Sequence, residues 1–314
     1  MKEIGGYIEF EHFNGEMLHE DGIKLDCGRS CLAYLIEARQ IERILMPSFM
    51  CDAVFNLCDR YNVSIRFYNV GYDLKPHDIH PSKDEYLYLS NYYGQLTETD
   101  IKQYKSLFEK VIVDNTQAYF SKPIEGVDTL YTCRKYFGVA DGGILFTDAS
   151  ISKEIGQSES FDKMTYLLGR FERSASEYYE QSSLNNDRFE NQPLLRMSML
   201  TENLLHGIDY KFICQRREDN YNYLHNVFKG INRLSLIKPD GPFSYPLMRK
   251  EGAMEIRKRL AKEKIYIPVL WPNVLQGLNE IDYDLAMNIL PLPCDQRYSL
   301  NEMKYLADRV NSLL

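Results

Sequence analysis

Lys110-Val111-Ile112-Val113-Asp114-Asn115-Thr116-Gln117 is the stretch on which the fold turns. Three successive β-branched residues form a short apolar run, the mark of a strand covered on both faces. The run ends on an acid and a polar loop. Working outward, residues 101–108 carry a helical pattern, and residues 85–89 form another apolar run. Before these, residues 43–47 read as a strand, 52–61 as a helix with Ala53, Val54, Leu57 and Cys58 on one face, and 64–68 as a strand. After the quoted stretch come strands at 129–131 and 143–147. Strands alternating with helices predict an α/β fold, with a mainly parallel sheet sandwiched by helices. Ligands in such sheets lie beyond the carboxyl ends of the strands.

From 150 to about 191 the chain turns polar and Tyr-rich, which predicts helix with a mobile excursion at 181–186. Residues 198–228 read as one long helix, bent near Gly207. Then come a strand at 243–248, an amphipathic helix at 251–263, and a strand at 265–269 carrying the edge-type Pro268. Ser299, with Glu302 at capping-box spacing, starts a last helix. The expected division is a large domain over residues 1–205, then a bridging helix and a smaller α+β domain over 206–314.

The 314 residues carry 37 Lys and Arg against 45 Asp and Glu, a net charge of −8, which argues against nucleic-acid or anionic-membrane binding through bulk charge. The longest charge-free run, 265–279, is interrupted by Pro268 and Pro272 and is too short to span a bilayer. Residues 1–6 show no apolar signal core. Seven widely spaced cysteines do not make a disulfide framework. These readings predict a soluble protein of the reducing cytoplasm. His77 and His80 have metal-ligand spacing without a third ligand and read as a surface turn, so no metal is expected. Residues 7–10 look like a docking strand.

Three strand ends carry candidate chemistry. Cys27-Gly28-Arg29-Ser30-Cys31-Leu32 opens a helix whose first N–H groups can face an anion. The competing reading is a plain N-cap by Ser30 or Asp26. Asp114 to Gln117 follows the central strand, and an acid there is commonly a loop cap. Arg134-Lys135 precedes Asp141-Gly142-Gly143 and sits between apolar strands. A loop lysine is usually a solvated surface group, yet one held away from water can act as a nucleophile toward carbonyls. Together, an anion-binding helix start, a strand-end acid and a lysine are the parts of a pyridoxal phosphate site.

The same residues resemble the DegT-type nucleotide-sugar aminotransferases, which have the aspartate-aminotransferase-like fold. Cys27 to Leu32 stands at that family's Ser-Gly-Thr-Ala-Ala-Leu turn, Pro47-Ser48-Phe49 at its Pro-Ser/Thr-Phe strand end, and Asn91-Tyr92-Tyr93-Gly94-Gln95 at its Leu-Tyr-Gly-Gln turn. Asp114 to Ala118 matches its Asp-Ala-Ala-Gln/His-Ala segment. Lys135, five residues and Asp141-Gly142-Gly143 match its Lys-(five residues)-Glu-Gly-Gly pattern, and Arg196-Met197-Ser198 its Tyr-Arg-Met-Ser entry.

The resemblance implies roles. Lys135 would form the Schiff base with pyridoxal 5'-phosphate and carry the proton. Asp114 would bond the pyridine nitrogen, and Gln117 the ring hydroxyl or ring face. Arg29 and Ser30 would serve the phosphate. Cys51 occupies the ring-stacking position, normally aromatic. Leu130 falls where the family has a phosphate-binding serine, unless Thr129 or Thr132 serves, and Leu194 falls at a partner-subunit asparagine. Arg29 or Arg134 would then supply a charge-assisted bond in place of neutral hydroxyls, and Tyr92 or Tyr93 would cover the ring. Tyr92, Tyr93, Arg134 and Tyr136 are the candidate substrate contacts, with a surface ion pair as the alternative for Arg134. The implied activity is transfer of an amino group, with glutamate as donor, to a nucleotide-linked keto sugar in surface-polysaccharide biosynthesis, by a homodimer. The alternative is a catalytically impaired scaffold of the same fold and pathway.

Overall fold

The structure, a computed structural model, describes residues 4–277 and 279–314. The elements run β1 (Ile23–Leu25), α1 (Gly28–Arg39), β2 (Arg43–Pro47), α2 (Asp52–Arg60), β3 (Ser64–Val70), β4 (Pro76–His77), β5 (Tyr86–Ser90), α3 (Glu98–Leu107), β6 (Val111–Asp114), β7 (Asp128–Thr132) and β8 (Gly143–Phe146). After them come β9 (Gly156–Gln157), α4 (Thr165–Glu172), α5 (Tyr179–Asp187), β10 (Leu195–Arg196), α6 (Met199–His206), α7 (Tyr210–Phe228), β11 (Tyr245–Met248), α8 (Ala253–Lys262), α9 (Glu280–Asn288), β12 (Ile289–Leu292) and α10 (Leu300–Asn311).

Ten strands form one sheet in the order β4-β3-β2-β5-β6-β7-β8-β1-β10-β9. The five strands β3, β2, β5, β6 and β7 are mutually parallel. β8 runs against both β7 and β1. Hence β1 and β7 end on the same edge of the sheet, alongside the ends of β2, β5 and β6. The register brings the parts of that edge together. Asp114 lies opposite Ser90 and Leu130, and Gly143 lies opposite both Thr132 and Leu25. The start of α1, three residues past Leu25, therefore sits beside the end of β7.

Alternation along the strands divides the core. Tyr88, Ile112, Leu130 and Leu145 pack with α1 and α2, whereas Leu87, Leu89, Val111 and Val113 pack on the opposite face. That second cluster reaches Met248, Leu285 and Ile289, so the C-terminal part closes one face of the sheet. The small antiparallel sheet β11-β12 has its own core with α7, α8 and α10. Capping boxes start α3 at Thr97 and Asp100 and α10 at Ser299, whose N–H donates to Glu302 at 2.7 Å.

The structure corrects four sequence expectations. The long helix at 198–228 is two helices, because Gly207 closes α6 and the Asp209 carboxylate caps α7 by accepting from Phe212 N at 2.9 Å. Residues 265–269 form no strand. β12 is the partner of β11 instead, and Ile267 is buried as a core side chain. Residues 181–186 lie inside helix α5. Residues 7–10 are not paired in any sheet, and Tyr7 and Ile8 are almost fully exposed.

Candidate active site

Asp114 is the last residue of β6 and is 5% exposed. Its Oδ2 accepts from the Tyr88 hydroxyl at 2.8 Å, and its Oδ1 accepts from Thr116 N at 2.8 Å. Neighbouring strand and following loop together orient the carboxylate. The same loop holds Thr116, whose hydroxyl accepts from Lys135 Nζ at 3.2 Å. Lys135 follows β7, and its ammonium stands 5.8 Å from the Phe243 ring centroid. Lys135 is not shut off from water, since its side chain is exposed. The surrounding protein nevertheless pulls its pKa below the ordinary lysine value by desolvation. The charge of Asp114 opposes that shift, and the charge of Arg134 reinforces it.

The N-cap of α1 is Cys27, and no side chain caps the helix. The plain capping reading for Ser30 or Asp26 is therefore not realised. Ser30 is buried, with its hydroxyl 3.4 Å from Cys27 Sγ. A Cβ on Gly28 would meet Thr116 Cγ2 at 3.4 Å and Thr132 Cβ at 3.8 Å. Both threonines thus border the first turn of α1. Leu130 shares the Thr132 face but is 1% exposed in the core, and Thr129 spends its hydroxyl on Val127 O at 3.1 Å. Thr132 is accordingly the β7 hydroxyl next to the helix start. Leu194 is also a core residue, packed in the α1 cluster.

Cys51 begins α2 and is half-buried near Lys135, and burial pushes its thiol pKa up. Gln117 is buried, its Oε1 accepting from Tyr93 N at 2.9 Å, a bond that joins the β5 and β6 loops. Arg29 and Arg134 converge on Phe189, with guanidinium-to-centroid distances of 5.8 and 4.4 Å, and Arg188 joins them at 4.3 Å. Neither Arg29 nor Arg134 forms an ion pair among the described residues.

The three tyrosines do not present themselves to a substrate. Tyr92 and Tyr93 are each 1% exposed and Tyr136 is 3% exposed. Tyr92 donates to Phe49 O and packs edge-on against Trp271. Tyr93 and Tyr136 both pack on Phe243, and Tyr136 also lies under Arg217 at 4.4 Å. Burial of large aromatic area at the junction of the two cores explains the placement. The aromatic beside Lys135 is Phe243, more than a hundred residues downstream. Phe243, Thr116, Tyr88 and the Arg188-Phe189 pair escaped the sequence reading. Only Thr116 carried a signal, its place in the strand-end segment.

His77 bonds Asp73 at 3.0 Å on the surface. The one cluster of metal-ligand type among the described residues is Glu20, Glu202 and His206. Lys24 already bridges the two glutamates there. All seven cysteines are free, and among the described residues no helix is long and apolar enough to cross a membrane.

No family model matches the chain, and no curated protein sequence matches it. Solved structures do. A DegT/DnrJ/EryC1/StrS aminotransferase from Brucella abortus shares 14% identity at a TM-score of 0.60, over 92% of this chain and 85% of that one. Helicobacter pylori PseC, an aminotransferase involved in the biosynthesis of pseudoaminic acid, shares 14% at 0.64, over 92% and 85%. The sugar aminotransferase Spr1654 from Streptococcus pneumoniae, in its PLP-form, shares 13% at 0.63, over 93% and 87%. At these identities the likeness concerns architecture alone: the chain has the fold of the DegT-type sugar aminotransferases.

Proposed function

We propose that the chain is a pyridoxal-phosphate-dependent aminotransferase that moves an amino group, with glutamate as donor, onto a nucleotide-linked keto sugar in surface-polysaccharide biosynthesis. The observation that carries the reading is the convergence of Lys135, the oriented Asp114 carboxylate and the uncapped start of α1 at one edge of the sheet, around Thr116. The sugar substrate rests on the fold likeness to sugar aminotransferases.

The residues present fit the cofactor. The open N–H groups of Gly28, Arg29 and Ser30 would hold its phosphate. The missing Cβ of Gly28 leaves room between Thr116 and Thr132. Arg134 keeps a buried Nε with no partner. When bound, the cofactor supplies an electron sink for the carbon bearing the amino group. Asp114 would hold a proton on the pyridine nitrogen, and Tyr88 and Thr116 keep its carboxylate aimed. Lys135, with its lowered pKa, would attach the cofactor and then, once freed, move a proton at its Nζ between the two carbons involved. Cys51 would line the ring side of the cleft, and Gln117 would act through the Tyr93 backbone.

A homodimer is part of the reading. Ile4, Tyr7, Ile8 and Phe10 in the N-terminal arm, with Phe171 and Tyr179 around α4 and α5, are all more than half exposed. Exposed large apolar side chains of this kind support an interaction face. Sedimentation velocity should show a dimer. The free cysteines suit a reducing cytoplasm. The scaffold reading is kept alive by Leu130 and Leu194, which are apolar and buried, and by Cys51, which offers no ring to stack.

The deciding experiment supplies the purified protein with pyridoxal phosphate, reduces it with borohydride and maps the peptides. The expected result is a visible absorption band and a reduced cofactor adduct on Lys135. An adduct elsewhere, or none, would remove the enzyme reading and leave the scaffold.

A further inference from the structure

Arg29, Arg134 and Arg188 come from α1, the loop after β7 and the end of α5. They gather their guanidiniums around one buried ring, Phe189, at 5.8, 4.4 and 4.3 Å. No carboxylate pairs with any of the three among the described residues. What Arg29 and Arg134 do meet is Asn186. Arg29 Nη2 donates to its main-chain oxygen at 3.3 Å, and Arg134 Nη2 donates to its side-chain Oδ1. Two cations thus converge on the neutral oxygens of one exposed residue. Arg188 Nη2 donates only to Ala140 O, at 3.1 Å. The Nε atoms of Arg134 and Arg188 are buried without partners.

Three mutually repelling cations kept together at some electrostatic cost, with unspent donors, make an anion site. The uncapped start of α1, to which Arg29 belongs, adds partial positive charge. Planar guanidinium forks match phosphate oxygens, and the excess of positive charge suits a dianion better than a carboxylate.

We infer that Arg29, Arg134 and Arg188 form a cage for a phosphate monoester, and that Asn186 is a displaceable placeholder in it. The occupant is the cofactor's phosphate, since Arg134 adjoins Lys135 in the chain and Arg29 lies in the first turn of α1. That assignment rests on the function proposed above, whereas the cage does not. On filling, the phosphate takes the donors that Asn186 holds, and the C-terminal end of α5 is released from them.

The first test uses inorganic phosphate and cofactor-free protein. Phosphate should raise the melting temperature by several degrees over chloride at equal ionic strength. Arg134→Gln and Arg188→Gln should lose that response without melting lower in its absence, because each relieves repulsion; a structural arginine would lower it. Arg134→Lys, which keeps the charge, should retain part of the response. Asn186→Asp should raise the phosphate-free melting temperature and abolish the response, its carboxylate filling the cage. The second test compares pyridoxal phosphate with pyridoxal. Arg134→Gln should weaken the former about tenfold or more and the latter less than about threefold. No phosphate response in the wild type, or an unaltered response in the arginine variants, overturns the cage. If the response behaves as expected but nothing attaches to Lys135, the cage stands and the cofactor reading falls. An adduct on Lys135 with equal affinities in wild type and variants leaves the enzyme and removes the cofactor's phosphate as the occupant of the cage.

Discussion

Two hydrogen bonds fix the Asp114 carboxylate before any ligand arrives, one from a strand residue, Tyr88, and one from a loop amide, Thr116. A charge placed in advance is worth more to a transition state than one that must reorganise. Asp114→Asn keeps the shape and removes the charge. Cofactor attachment should persist, while single-turnover transamination falls by a factor of about a hundred or more, ~3 kcal/mol. Near-normal turnover would reduce Asp114 to a strand-end cap. Tyr136 is the opposite case. It lies in a tempting place next to Lys135, yet its hydroxyl is buried and meets no hydrogen-bond partner. Tyr136→Phe discards an unsatisfied group, so unfolding in urea should show stability equal to the wild type or up to about 1 kcal/mol higher. Turnover should be unchanged, and a tenfold loss would restore Tyr136 as a substrate contact.

The element that matters most is the entry to α1, and its position depends on a glycine pair. Gly142 has φ +116°, a backbone conformation that disfavours other residues. Its N–H donates to Asp26 O at 2.5 Å. A Cβ on Gly143 would come within 2.5 Å of the Cys27 carbonyl and 2.9 Å of Cys31 Sγ. The strand therefore touches the helix start through backbone. Gly143→Ala must push α1 outward, at an expected cost of about 1–3 kcal/mol in urea unfolding, with weaker pyridoxal phosphate binding. Unaltered stability and affinity would show that α1 yields freely. The Asp-Gly-Gly spacing and the helix opening at 27–32 were both legible in the sequence, whereas their contact through backbone was not. Gly207 was legible only as a bend, because the apolar pattern continues past it; the Asp209 cap is what makes α7 a separate helix.

Across the whole molecule, Asp26 joins segments distant in sequence. Its N–H donates to Leu195 O at 3.1 Å, its side chain accepts from Gln192, and Asp141 lies nearby, bonded to Ser198 N and Oγ at 2.9 Å each. Burial, above all, and the charge of Asp141 push the Asp26 pKa from 3.8 up to about 6, against a hydrogen bond from Ser30. The folded-state value lies above the unfolded one. The associated stability is therefore complete below pH 4 and lost as the pH rises through about 6. Asp26→Asn should flatten that part of the stability profile and raise stability at neutral pH, by roughly 3 kcal/mol as an order of magnitude. Urea midpoints between pH 4 and 8 check this, and a parallel loss in both proteins would place the titration elsewhere.

Local pattern was enough for the alternating strands and helices between residues 28 and 147, and for placing Lys135 and Asp114 just past or at the ends of strands. Side-chain periodicity and turn chemistry act over a few residues and are written along the chain. It was not enough for what stands around those two residues. Phe243 beside Lys135, Tyr88 beneath Asp114, and Arg188 with Phe189 beside Arg134 come from far segments brought together by the strand order. The same holds for Tyr92, Tyr93 and Tyr136, which look available in the sequence and are consumed by packing between two cores. Whether an aromatic faces water or a neighbour depends on which element closes over it, and that is a property of long-range packing, without a local signature.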